Sequence, residues 1–252
     1  MLIILSMRPY FCRVGNKSDM VNFLTDIQPV GYTSYIEPFV GSGAFYWSKS
    51  EENIPKIIND LDSHLMWGYN LLQNGNITVA ERFNTKDIDR LTTIHNYEGS
   101  DDSCNLAAIM VRYANTFGGK GTGKVYKTTN PYNKLKKIKL YRENMSNTKL
   151  LNTDYINIIN QYDNEGAFFF FDPPYVDSSK QMYKHDGIDM LQLHRALSNL
   201  QGKFILTLDN TIGTRTLFKE FRQLFRPVKA KGRVATGGTG SKDRVDLIIL
   251  NY

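Results

Sequence analysis

The chain predicts an α/β fold: a doubly wound, Rossmann-like sheet, mostly parallel, with a basic segment inserted in its middle. Three observations predict it. Four consecutive phenylalanines, Phe168 to Phe171, fit a strand buried on both faces, as strands inside parallel sheets are. Tyr35 to Val40, then Gly41-Ser42-Gly43, then apolar Phe45, Tyr46 and Trp47 read as strand, tight turn and helix, the start of a βαβ unit. Excess positive charge is confined to one place. From Ser103 to Arg142 there are nine Lys and Arg residues and no acid, which leaves 22 basic against 25 acidic residues elsewhere in a chain of net charge +6.

Taken in order, Leu2 to Leu5 is a short apolar start without the charged-then-long-apolar layout of a secretory leader, and reads as a strand or a packed tail. The strand Tyr35 to Val40 ends at Gly41, and Ala44 to Ser50 starts a helix. Lys56 to Leu61 is the next strand, with Asn59-Asp60-Leu61-Asp62 at its end. A helix follows through His64 to Leu72 and closes at the turn signal Asn74-Gly75. Residues 76 to about 146 break this rhythm. Within them Ala107 to Phe117 has the spacing of an amphipathic helix, followed by the glycine-rich Gly118 to Lys124. Sheet signals resume at Thr148 to Thr153, Phe168 to Phe171 and Lys203 to Leu208, with a helix over Asp189 to Leu200. The tail offers a strand Phe225 to Lys231, a loop Gly237 to Gly240 and a last strand Val245 to Leu250. The expected division is one sheet domain, residues 1–75 and 147–252, interrupted by an insertion over 76–146.

Composition excludes several classes. The 252 residues, 41% hydrophobic, can build one large core, and no stretch is long enough to cross a membrane. Cys12 and Cys104 lie in no redox or metal pattern, and His64, His95, His185 and His194 give no zinc spacing. The expectation is an intracellular, reduced and metal-free protein.

Chemistry concentrates at three places. After the phenylalanines come Asp172-Pro173-Pro174-Tyr175; two prolines forbid both ladder and helix and force extended geometry. Such a turn holds one carboxylate and one aromatic face at the carboxyl end of a strand, where open α/β sheets bind ligands. It suits a planar group bearing an amino substituent; a plain strand-ending turn is the alternative. Gly41-Ser42-Gly43 lets a ligand approach the backbone, and Asp60, ending the next strand, stands where an acid commonly binds ribose hydroxyls. Asp60 could instead cap the following helix, a role for which Asp62 is the better candidate. The basic segment is interleaved with Tyr113, Phe117, Tyr126, Tyr132 and Tyr141, a mixture that suits phosphate and base contacts in a nucleic acid. Gly118 to Lys124 imitates a phosphate-binding P-loop, but Val125 replaces the required hydroxyl and the segment follows a helix, so nucleotide hydrolysis is rejected.

Pro38-Phe39-Val40-Gly41-Ser42-Gly43, then Asn59-Asp60, then Asp172-Pro173-Pro174-Tyr175, in this order, resembles the Dam-type adenine-N6 DNA methyltransferases. Gly15-Asn16-Lys17, Thr153-Asp154-Tyr155 and the closing Asn251-Tyr252 also look like family elements. The resemblance covers most of the chain outside the basic insertion, and a leading Asp is fairly specific, since related enzymes place Asn or Ser there for other amino acceptors. One departure is Cys12-Arg13, where the family often has a basic residue followed by an aromatic one.

The resemblance implies S-adenosylmethionine as methyl donor and duplex DNA as partner, with a flipped adenine at the catalytic turn and the insertion acting as a DNA-recognition subdomain. Asp172 and Pro173 would accept the two amino hydrogens, Pro174 would stiffen the turn, and Tyr175 would stack on the base. Around the donor it implies Asp60 at the ribose, and Gly15 and Lys17 near its carboxylate end or near the catalytic turn. Glu37 would face the ammonium directly or through water, though it also reads as a strand-end surface carboxylate. Pro38, Phe39, Gly41 and Gly43 would form the loop under the donor, with Asp154 and Tyr155 bordering its adenine and Asp172 reaching the site from the catalytic turn. Tyr10 or Phe11 could supply the aromatic contact that position 13 lacks, and either Arg13 or Tyr10 is expected to contact the cofactor. Arg112, Asn115, Lys120, Lys124 and Lys127 are the expected DNA contacts. Alternatives are an inactive DNA-binding module on the same fold, or transfer to cytosine N4 or RNA.

Overall fold

The structure, a computed structural model, describes residues 7–13, 15–49, 52–77, 101–116, 121, 136–174, 188–228 and 244–252. Leu2 to Leu5, the loop Gly237 to Gly240, Tyr175, Lys120, Lys124 and Lys127 lie outside the described residues. Seven strands form one sheet: β1 (Ser34–Glu37), β2 (Lys56–Asn59), β3 (Thr148–Leu151), β4 (Ala167–Phe171), β5 (Lys203–Asp209), β6 (Arg222–Val228) and β7 (Arg244–Leu250). Their order is β3-β2-β1-β4-β5-β7-β6. The β1–β4, β2–β3 and β4–β5 pairs are parallel, and β7 runs antiparallel to both β5 and β6. This is the doubly wound, mostly parallel α/β sheet that the sequence predicts.

The described residues group into two compact units, Met1–Gln28 with Glu37–Ile158, and Pro29–Ile36 with Ile159–Tyr252. The first holds α1 (Val21–Ile27), α2 (Ala44–Ser48), α3 (Ser63–Asn74), α4 (Asp102–Asn115), α5 (Ile138–Met145) and the start of α6 (Tyr155–Tyr162). Its core is aromatic. Tyr10, Phe11, Trp47, Tyr69, Tyr113 and Tyr141 are all buried, and they meet edge to face at ring distances such as 4.7 Å for Tyr10–Tyr141 and 4.9 Å for Phe11–Tyr69. Each such pair adds about 1 kcal/mol beyond area burial. Helix α3 begins because Asp62 accepts the Leu65 N–H at 3.1 Å, the capping role expected of it.

Helix α4 differs from expectation. It starts at Asp102, where Asp101 accepts the N–H groups of Ser103 and Cys104, and it stops at Asn115. It is buried along nearly its whole surface, from Asn105 through Val111 and again at Tyr113 and Asn115, rather than along one stripe. A helix surrounded on most sides keeps no clean 3.6-residue alternation, which is why spacing located only its second half.

The second unit is built on β4, whose five residues are all buried. It pairs with β1 from Ser34↔Ala167 to Ile36↔Phe169 and with β5 from Phe168↔Lys203 to Phe171↔Leu206. Helix α7 (Met190–Ser198) starts where Asp189 accepts the Leu191 and Gln192 N–H groups, and α8 (Ile212–Leu217) starts with a Thr211–Thr214 capping box. Strand β6 begins at Arg222, three residues before the expected Phe225, and tolerates Pro227 because it lies at the sheet edge. Asn251 accepts the Phe204 N–H at 2.9 Å and donates to the Gly202 carbonyl at 2.8 Å, tying the chain end to the start of β5. The helices α1, α5, α6 and α8 were not expected from spacing.

Candidate active site

The loop after β1 is wound tightly. The Val40 N–H bonds the Asn59 carbonyl at 2.8 Å and the Gly43 N–H bonds the Val40 carbonyl at 2.6 Å. Gly41 and Gly43 both have left-handed backbones, φ +47° and +68°, which L side chains rarely adopt. Among the described residues, chain neighbours aside, nothing comes within 4 Å of where a Gly41 Cβ would project, whereas at Gly43 the Tyr69 hydroxyl would stand 3.0 Å away. Gly43 is therefore fixed by packing, and Gly41 by conformation beside open space.

Asp60 is built into this loop. One carboxylate oxygen accepts the Gly41 N–H at 3.0 Å and the other the Asp62 N–H at 2.9 Å. Each oxygen keeps a second lone pair for a hydroxyl donor. Burial pushes the Asp60 carboxyl above its usual value, against the pull of Arg13 and the two N–H groups. Asp62 goes the other way: burial would raise it, but Arg13, the Tyr113 hydroxyl and the Leu65 N–H hold it below the usual value. Arg13 Nη1 lies 2.5 Å from Asp62, and its guanidinium sits over the Tyr113 ring at 5.3 Å. Burial would lower the Arg13 pKa, yet Asp60 and Asp62 hold it up.

The remaining predicted donor-site residues of this unit are placed as follows. Glu37 and Pro38 are buried at the end of β1 and just after it, with Glu37 2% exposed. Phe39 is half-buried, and its ring meets that of Tyr155 at 5.3 Å. Asp154 is exposed and accepts the Ile156 N–H at 2.8 Å, opening α6. Gly15 is exposed with φ +77°, and the buried Lys17 donates to its carbonyl at 3.0 Å. Tyr10 lies in the aromatic core at 1% exposure, like Phe11. Sequence reasoning quoted Asn59 in the Asn59-Asp60 element without giving it a role; its amide donates to the Pro38 and Thr153 carbonyls at 2.9 and 3.0 Å and accepts the Thr153 N–H at 2.9 Å. That one side chain joins the glycine loop to the Asp154-Tyr155 turn. Its sequence signals are an Asn at the end of a strand and its place beside Asp60 in the motif.

In the other unit, Asp172 follows β4 directly, half-buried, with Pro173 buried and Pro174 half-buried after it. The Thr207 hydroxyl, on fully buried Thr207 of β5, donates to Asp172 Oδ1 at 2.6 Å. Thr207 is the second residue that sequence reasoning left without a role.

Of the expected DNA contacts, two are described. Arg112 Nη1 donates to His64 Nε2 at 2.7 Å. Asn115 is 4% exposed, and its amide donates to the Val111 carbonyl at 2.9 Å. Among the described residues no cluster of three or more His, Cys, Asp or Glu could hold a metal ion, and no helix is long and apolar enough to cross a membrane.

The family model described as D12 class N6 adenine-specific DNA methyltransferase matches residues 14–105 and 103–231. The chain belongs to that family. Its activity is accordingly the transfer of a methyl group to the N6 of adenine in DNA. The chain is similar to the Type II methyltransferase M1.LlaDCHI of Lactococcus lactis subsp. cremoris, 23% identical over 98% of this chain and 96% of that protein. M.MjaIII of Methanocaldococcus jannaschii is 24% identical over 98% of this chain and 100% of its own length. M.CviBI of Paramecium bursaria Chlorella virus NC1A is 23% identical over 98% and 100%. In this D12-class methyltransferase both the glycine loop with Asp60 and the Asp172 turn fall within the matched residues.

Proposed function

We propose that this D12-class enzyme uses S-adenosylmethionine as donor and acts on an adenine flipped out of duplex DNA, with Asp172 as the residue that activates the amine. The observation that carries the reading is the Asp172 carboxylate, held at 2.6 Å by Thr207 at the end of β4 and followed by two prolines. The residues of the glycine loop fit the donor: acceptor oxygens on Asp60, a backbone open beside Gly41, and the Phe39–Tyr155 rings 5.3 Å apart. When bound, S-adenosylmethionine supplies an electrophilic methyl group.

The chain's own residues do the rest. The adenine N6 lone pair is delocalised into the ring and is a poor nucleophile. The Asp172 carboxylate and the Pro173 carbonyl accept its two hydrogens, draw the nitrogen toward tetrahedral geometry and stabilise the positive charge that develops on it. One of those protons leaves when the new N–C bond has formed, and Asp172 is placed to receive it. Proline at positions 173 and 174 leaves no backbone N–H to compete for the carboxylate. Tyr175 stacks on the extruded base. Asp60 takes the ribose hydroxyls, Lys17 the donor's carboxylate, and Glu37 its ammonium.

Residues 76–146 form the recognition insertion in this proposal, and residues 1–75 with 147–252 the catalytic part. Lys120, Lys124 and Lys127 carry the phosphate contacts. Arg112 joins them only in part, since it also bonds His64, and Asn115 supports α4 from inside. Flipping costs a few kcal/mol, which the phosphate contacts offset. The test is transfer of a radiolabelled methyl group to mixed-sequence duplex DNA, followed by nucleoside analysis. N6-methyladenine is expected from the wild type. Asp172→Ala should abolish transfer while leaving DNA affinity largely intact; normal turnover by that variant would falsify the mechanism.

A further inference from the structure

Four acidic side chains at the ends of elements share one anchor. Asp60, Asp101, Asp154 and Asp189 each accept the backbone N–H of the residue two positions on, at 2.8 to 2.9 Å. Asp172 has no such anchor to use. The position two residues on is Pro174, and the next residue, Pro173, lacks an N–H as well. A carboxylate on a short side chain after a strand keeps rotational freedom unless something else fixes it.

Thr207 stands where that donor is missing. The β4–β5 register pairs Phe171 with Leu206, so the next residues along the two parallel strands are Asp172 and Thr207. The side chain is fully buried in a strand that is otherwise apolar through Phe204, Ile205, Leu206 and Leu208. A hydroxyl in such a strand requires a partner, and its single proton has two acceptors: Asp172 Oδ1 at 2.6 Å and the Phe171 carbonyl at 3.4 Å. The carboxylate is the shorter contact. Branching at Cβ restricts the rotamer, so the donor is fixed in direction. Valine would fill the same space without the proton.

We propose that Thr207 is a positioning residue for methyl transfer, setting the carboxyl plane of Asp172 in place of the backbone donors that the prolines remove. The inference rests on Asp172 acting on the amine as proposed above. It does not require Thr207 to touch the substrate.

Steady-state transfer to duplex DNA by the full-length chain tests it with Thr207→Val and Thr207→Ser. Valine is expected to lower kcat by about 10- to 100-fold, the usual effect of a small misplacement of a catalytic group. The KM values for DNA and donor should stay within about twofold, because ground-state binding is untouched. Serine restores the hydroxyl and should return kcat to near wild type. Wild-type kcat in the valine variant, or equal loss in valine and serine, overturns the proposal in favour of a packing role. If valine fails to fold by thermal melting, Thr207→Ser against Thr207→Ala isolates the hydroxyl on an equal cavity; equal kcat in that pair also overturns it. A wild type that leaves DNA adenine unmethylated would instead sink the underlying reading, with no bearing on how Asp172 is held.

Discussion

Asp60 and Asp62 stand two residues apart, yet their surroundings move them in opposite directions. Asp60 is half-buried against the glycine loop, where the Gly41 and Asp62 N–H groups contact its carboxylate, and the desolvation it suffers there makes the folded protein hold its proton more tightly than the unfolded chain. Its ionisation therefore subtracts stability as pH rises from 3.8 through the raised value. Asp62 does the reverse. Arg13 and Tyr113 favour its charged form, so its contribution is complete above 3.8 and is lost as pH falls through the depressed folded value. Asn is as good a helix cap as Asp, so Asp62→Asn removes the charge and keeps the cap. At pH 7 that variant should be less stable by about 1.5–3 kcal/mol, the range for hydrogen bonds to charged groups. The gap to wild type should close below pH 3.8 in urea titrations; a gap independent of pH would mean that the ion pair contributes nothing.

At the scale of elements, Tyr113 connects two of them. It projects from α4, and its hydroxyl donates to Asp62 at 2.8 Å, at the start of α3 and two residues from Asp60. Gly121 packs on the same ring so closely that an added Cβ would stand 2.6 Å from it. Gly121 and Asp62 thus meet the same side chain. Tyr113→Phe should weaken binding of S-adenosylmethionine, the proposed donor, by about five- to tenfold, equivalent to the roughly 1 kcal/mol of one net hydrogen bond, as read by calorimetry. Unchanged affinity would uncouple the two. None of this was legible in the sequence. The strands were, because four phenylalanines, or β-branched and aromatic residues before glycines, have few other uses. So were the places of Gly41, Asp60 and Asp172 just past the ends of strands, which neighbouring residues alone determine. Arg13 and Asp62 lie 49 positions apart, Asn59 and Thr153 94 apart, and Asp172 and Thr207 35 apart. Such pairs exist only once register and helix placement are set. Helix α5 was hidden for another reason: Ile138 to Met145 overlaps the end of the basic run, where charge masks the apolar positions Tyr141 and Met145.

For the molecule as a whole, the excess positive charge lies in the proposed recognition insertion. Nine basic residues without an acid in one segment should neutralise several phosphates, each releasing counterions. Affinity for non-specific duplex should fall on the order of a thousandfold between roughly 50 and 200 mM salt if about six phosphates are contacted. A flat dependence in fluorescence-anisotropy titrations would remove the segment from the DNA interface. The buried strand β4 has a different consequence, felt before any substrate arrives. Its partners are β1, 133 positions earlier from Ile36 to Phe169, and β5, 35 positions later from Phe169 to Phe204. On the ribosome, Phe168 to Phe171 therefore emerges long before Lys203–Asp209 can cover its second edge. An aromatic, uncharged stretch waiting for long-range pairing is what slows folding and recruits chaperones. The strand that aims Asp172 in the finished enzyme makes the nascent chain prone to self-association.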